Sequence, residues 1–123
     1  MSRNRVIDVG NCSADHSSLR CVVELLNSDL VRAHTVPEAL QLMREQPAKL
    51  VIVNRIMDRD GSEGLELIRQ AQQDESLKSV PIMLVSNYPD AQQAAISAGA
   101  VPGFGKSQLF TPETRELISQ YLS

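Results

Sequence analysis

Aromatic side chains are nearly missing: two Phe and two Tyr make up 3% of 123 residues, and there is no Trp. A single-stranded nucleic-acid platform, which stacks bases on aromatic faces, therefore has little to be built from. Basic excess is also lacking. Twelve Lys and Arg against fifteen Asp and Glu give a net charge of −3, the wrong sign for a protein that tracks a phosphate backbone. No apolar run approaches the roughly 18 residues that span a bilayer, and Met1-Ser2-Arg3-Asn4-Arg5 leads into only a few apolar residues, so no secretion signal is expected. The two cysteines, Cys12 and Cys21, form no CxxC pair and no zinc spacing. They are expected to be reduced, half-buried thiols in a cytoplasmic protein. His16 and His34 stand apart in the sequence, so neither a metal site nor a hydrolase dyad or triad is predicted.

What remains is a globular composition, 42% hydrophobic and 22% charged, with a core of aliphatic residues and Met. Val6 to Val9 reads as a short strand, Gly10 to Ser13 as a turn, and Ser13 as the N-cap of a helix carrying Leu19, Val22, Val23 and Leu26 at helical spacing. Asn27 to Asp29 breaks that helix, and Leu30 to His34 alternates like an edge strand. Thr35 and Glu38 form a capping-box pattern, in which hydroxyl and carboxylate each take a backbone N–H. Val36, Ala39, Leu40 and Met43 follow as the inner face of that helix, and Pro47 stops it.

Leu50 to Val53 is a continuous apolar run ending on Asn54, then a polar loop, then a helix with Leu65, Ile68 and Ala71 on one stripe. After the polar stretch from Gln72 to Ser79, Pro81 to Val85 forms another buried strand ending on Ser86. An Ala-rich helix runs from Pro89-Asp90 to Gly99, and Val101 to Gly105 is a weak strand ending at Lys106. Thr111 caps a last helix with Pro112 at its first position and Leu117, Ile118 and Tyr121 on its inner stripe. Five alternations of strand and helix with short links predict a single α/β domain over residues 1–123, a doubly wound parallel sheet with helices on both faces. Ligands bind such sheets at the carboxyl ends of the strands, here marked by Gly10-Asn11, Asn54, Ser86 and Lys106.

The order of those tips, together with "LVIVN…GLELI", "VPIMLVSN" and "SAGAVPGFGKS", resembles the receiver domain of two-component response regulators over nearly the whole chain. The resemblance implies a flavodoxin-like sheet of strand order 2-1-3-4-5. It also implies a family chemistry in which an acidic pair binds Mg²⁺, an Asp ending the third strand accepts a phosphoryl group, a Ser or Thr senses it and a Lys holds it. Matched by position, the acidic pair falls on Gly10 and Asn11 and the acceptor on Asn54, while Ser86 and Lys106 keep the hydroxyl and the ammonium. Ser107 stands where a proline often follows the lysine. The aromatic switch position falls on Gly103. Phe104 lies one residue out of phase and should point the other way unless a glycine bulge shifts the register.

An amide has no anionic oxygen with which to attack phosphorus, and Mg²⁺ prefers hard anionic ligands. The reading is therefore a degenerate receiver, or pseudo-receiver: not an enzyme, with no cofactor and no metal, binding a signalling protein or a second copy of itself. By resemblance the contact surface is the fourth helix, fifth strand and fifth helix, here Ala91 to Ala98, Val101 to Gly105 and Pro112 to Leu122. Two alternatives are an anion or metabolite held between Asn54, Ser86 and Lys106, and phosphorylation at another residue. Asp8 needs a partner if it is buried in its strand. It pairs with Lys106 or with loop N–H groups, or is partly wet, or stands in as a surviving pair member. Asp58, Asp60 and Glu63 lie in a loop about two residues longer than the family's, read as solvated and flexible rather than as a cation site.

Overall fold

The computed structural model describes residues 4–122; Met1 to Arg3 of the N-terminal stretch, and Ser123, lie outside the described residues. Ten principal elements alternate: β1 (Asn4–Val9), α1 (Ser13–Leu25), β2 (Ser28–Ala33), α2 (Val36–Glu45), β3 (Leu50–Asn54), α3 (Gly64–Gln72), β4 (Ile82–Val85), α4 (Pro89–Ala98), β5 (Val101–Phe104) and α5 (Pro112–Ser119). The five strands form one parallel sheet in the order β2-β1-β3-β4-β5. That is the predicted doubly wound architecture.

Strand alternation divides the core in two. Ile7, Val9, Val51, Val53, Ile82 and Leu84 face α2 and α3, and Val6, Leu50, Ile52, Met83 and Val85 face α1 and α5. β1 and β3 are covered on both faces, which is why their sequences read as nearly continuous apolar runs.

Several local expectations need correction. Ser13 is the first residue of α1; the N-cap is Cys12, whose side chain makes no capping bond to the backbone. Thr35 Oγ1 accepts from the Glu38 N–H at 3.3 Å, but Glu38 reaches one residue further back, taking the His34 N–H at 3.3 Å. In α3 it is Leu67 that is fully buried, with Leu65 only half-buried. Leu77, inside the segment read as polar, is 2% exposed and belongs to the core. Cys12 is half-buried, whereas Cys21 is exposed on α1. Pro47 acts as foreseen: α2 ends at Glu45, and Gln46 is extended, as the residue before a proline prefers.

β5 carries the bulge on which the placement of Phe104 depended. Met83 pairs with Val101 and Val85 with Phe104, so three steps on β5 match two on β4. The extra residue turns Phe104 inward, where it is 5% exposed among Leu19, Val85 and Ile118. Gly103 makes this possible, because a Cβ there would lie 2.1 Å from the Leu84 carbonyl oxygen. Gly103→Ala is expected to lower stability by about 1–3 kcal/mol, the usual range for forced overpacking. Urea unfolding with an unchanged m-value checks this, and an unaltered midpoint would show that the bulge relaxes freely.

Candidate functional site

The carboxyl edge of the sheet brings the predicted tips together. Asn54, Arg55, Ile56, Val85, Ser86, Asn87, Tyr88 and Lys106 line one open cleft, so the matched acceptor, hydroxyl and ammonium share a wall as the resemblance implied. Gly10 and Asn11 leave β1 beside it, since Asn54 Nδ2 reaches toward the Gly10 carbonyl at 3.5 Å. The roles of these residues differ from those their positions suggest.

Asn54 turns its amide protons onto protein oxygens: Nδ2 donates to the Ile56 carbonyl at 2.7 Å. Gly10 has φ of +76°, in the left-handed region, and a Cβ there would stand 2.5 Å from both Sδ and Cε of Met57. Met57 is 1% exposed, so a thioether packs against the backbone where an acidic side chain would otherwise project. The segment that carries it is pinned by Asp58 N–H to Gly10 O at 2.9 Å, Gly61 N–H to Met57 O at 3.0 Å, and an Ile56–Glu63 bridge. The loop is thus solvent-exposed at Asp58, Asp60 and Glu63, and its backbone is hydrogen-bonded to the β1–α1 turn and across its own ends. Asp60 caps its own turn, accepting from Ser62 Oγ at 2.6 Å and from Ser62 N–H at 3.0 Å. Those bonds hold its carboxyl below the usual range. Among the described residues no three His, Cys, Asp or Glu side chains converge as metal ligands. With a glycine and two amides at the matched positions and the buried Met57 thioether beside them, these residues do not fit Mg²⁺.

Asp8 is the carboxylate next to this edge, and it is 0% exposed. It pairs neither with Lys106 nor with backbone N–H groups, and it is not wet. Asp8 Oδ2 lies 2.6 Å from His16 Nδ1, and Oδ1 accepts from Asn11 Nδ2 at 2.5 Å. Arg20 Nη2 lies 3.1 Å from His16 Nε2. A guanidinium can only donate, so Nε2 accepts and the ring proton lies on Nδ1, from which it is given to Asp8. Sequence reasoning missed this chain because it takes Asp8 from a strand and His16 and Arg20 from successive turns of α1. The four-residue spacing of His16 and Arg20 on one helix face was the available signal. Arg32, the register partner of Asp8 on β2, holds the same corner from the other side, with Nη2 donating to Asn11 O at 3.0 Å and Nη1 to Ser13 Oγ at 3.3 Å. Asn11 is therefore a structural strut between Asp8 and Arg32.

Lys106 begins a 3₁₀ turn (Lys106–Gln108) after β5 and donates from Nζ to Asp15 Oδ2 at 2.7 Å. This hydrogen bond holds the Asp15 carboxyl below its ordinary range, against partial burial, with help from the Cys12 thiol. Ser86, 7% exposed, accepts the Tyr88 N–H on Oγ at 3.1 Å. Gln92 of α4 donates from Nε2 to the carbonyls of Leu84, Ser86 and Phe104 at 2.9, 3.1 and 3.2 Å, bolting α4 to β4 and to the bulged β5. Arg55 stacks over the Tyr88 ring, 5.2 Å from its centroid.

Removing one member of a buried hydrogen-bonded network that holds a carboxylate leaves an uncompensated polar group, whereas removing both does not. His16→Leu is expected to cost about 3 kcal/mol or more, and Asp8→Leu/His16→Leu clearly less than the sum of the single changes. Additive losses in urea unfolding would show that the two side chains are not coupled. For Asp15 the folded pKa is depressed, so its ion pair contributes stability above the unfolded carboxylate pKa and loses it as pH falls through the folded value. Lys106→Met should raise the Asp15 pKa, read by side-chain NMR titration, and remove that acid-side contribution.

No protein-family model and no curated protein matches the sequence. Solved structures do. A protein assigned as a response regulator from Chloroflexus aurantiacus J-10-fl superposes with a TM-score of 0.86 at 21% identity, covering 98% of each chain. A response regulator receiver protein from Pseudomonas putida gives 0.80 at 20% identity, again over 98% of each. The beryllofluoride-activated NtrC4 receiver domain gives 0.77 at 22% identity, over 96% of this chain and 94% of that one. The chain has the fold of response-regulator receiver domains.

Proposed function

We propose that this chain is a receiver-type signalling module that acts through protein contact and takes up no phosphoryl group at the tip of its third strand. The observation that carries the proposal is Met57 packed on Gly10 beside an Asn54 whose amide protons are already given to backbone oxygens. A phosphoryl acceptor needs both a nucleophilic carboxylate and neutralisation of the developing charge, and neither is supplied here.

The remaining machinery agrees with a module of fixed shape. Ser86 and Lys106 hold other partners, and Gln92 fastens α4 to two strands at once. Without a covalent switch, any change of shape would have to come from a partner's differential affinity for two states. The module is read as non-enzymatic and cytoplasmic, and among its described residues no helix is long and apolar enough to cross a membrane. Its partner is a signalling protein or a second copy of the chain, meeting α4, β5 and α5. Ile96, one helical turn after Gln92 and 40% exposed, supplies apolar surface there. The NtrC4 receiver, similar in fold, is described as a dimer.

Incubation with acetyl phosphate and Mg²⁺, followed by intact mass, tests the reading. No added phosphoryl group is expected. Asn54→Asp should also stay unmodified, because Gly10, Asn11 and Met57 still deny the metal its site. A stable mass gain in the unaltered protein would overturn the proposal.

A further inference from the structure

Another cavity, of about 90 Å³, lies between α1 and the turn that leads from β5 to α5, and it shares only Val85 and Lys106 with the cleft described above. Its floor is apolar. Leu19 of α1, Val85 of β4 and Phe104 of β5 are 3, 5 and 5% exposed, and Leu109 is half-buried beside them. Phe110 stands on the lining too, with its side chain 63% exposed, a large ring left against water at the edge of an apolar hollow.

Two features set what this hollow can hold. Its charges are already spent on each other, since Lys106 Nζ and Asp15 Oδ2 lie 2.7 Å apart on the same lining. An ionic ligand would have to break that pair to gain a counterion, whereas a neutral one leaves it intact. The second feature is an unused acceptor. Asn11, 3% exposed, gives Nδ2 to Asp8, but Oδ1 of the same amide receives no hydrogen bond among the described residues. An amide oxygen has two lone pairs to offer, and a buried one without a donor is out of the ordinary.

We infer that this cavity binds a small neutral aromatic molecule carrying one O–H or N–H donor, of the phenol class. The ring lies on Leu19, Val85 and Phe104, the donor meets Asn11 Oδ1, and Phe110 covers the outer edge. The size agrees: an enclosed apolar cavity of about 150 Å³ takes up benzene. This smaller hollow, open to solvent on one side, takes a single ring with its far edge at the rim. Contact with two Phe rings adds a preference for an aromatic over an aliphatic ligand. The inference does not depend on whether the chain takes up a phosphoryl group.

The test is a titration of amide NMR signals with phenol at neutral pH, where its hydroxyl keeps the proton. Toluene serves as a ring of the same size without a donor, and benzoate as the anionic control. Saturable shifts at residues 11, 18–19, 85, 104 and 109–110 are expected with phenol. Toluene should bind about threefold to tenfold more weakly, the factor that one net hydrogen bond supplies, and benzoate should not saturate. Ser18→Leu, which fills the hollow from the half-buried side of α1, should abolish binding. Phe110→Ala, an exposed position whose loss leaves the core intact, should weaken it several-fold and melt like the unaltered protein. Absence of saturation, equal affinity for toluene, tighter binding of benzoate, or indifference to Phe110→Ala would each overturn the inference. None of these readouts involves the covalent product that the acetyl phosphate experiment measures.

Discussion

A carboxylate with no access to water has to be answered from within the protein, and Asp8 imposes that demand at the centre of the sheet. An isolated buried charge costs several kcal/mol at least. Its answer comes from His16 and Asn11, one from the helix that follows β1 and one from the turn between them. Satisfying Asp8 thus fixes the position of α1 on the sheet, the tautomer of His16 and the path of the β1–α1 turn. The same turn delivers Gly10 to Met57 and Asn11 to Arg32. The corner beside Gly10 and Asn54 is therefore held together by contacts within the protein.

The residues at this edge depend on one another. Only a residue without a side chain lets Met57 lie against the backbone at position 10. With Met57 there, position 10 has no room for a side chain of its own. With no cation, a carboxylate at position 54 would face the Ile56 and Gly10 carbonyl oxygens unscreened, whereas an amide donates to both. The polar groups at this corner are satisfied within the protein.

The sequence made the architecture legible because parallel strands covered on both faces leave continuous apolar runs, as β3 and β4 do and β1 does but for Asp8. The polar tips were found the same way, as the first side chains past each run. What escaped were arrangements that join distant segments through one atom pair. His16 meeting Asp8 could not be read from two isolated histidines, and Leu77 was hidden in a polar stretch because one apolar residue has no period. The direction of Phe104 was left conditional on a bulge. A glycine permits such a bulge, but only strand pairing decides it. Capping errors of one residue, at Ser13 and at Glu38, reflect how closely the alternatives compete at a helix start.

Retention of a residue type and retention of its role are separate matters, and Ser86 and Lys106 show the difference. Each occupies the position the resemblance assigns, yet one receives a backbone N–H and the other is held by Asp15. A hydroxyl that accepts one bond can still donate another, so Ser86 loses nothing as a ligand by helping to shape the start of α4. A lysine shared with a half-exposed carboxylate keeps its charge while surrendering its freedom to move. The residues that line the cleft thus include two cations and no acid, and the lysine is balanced from outside that lining by Asp15.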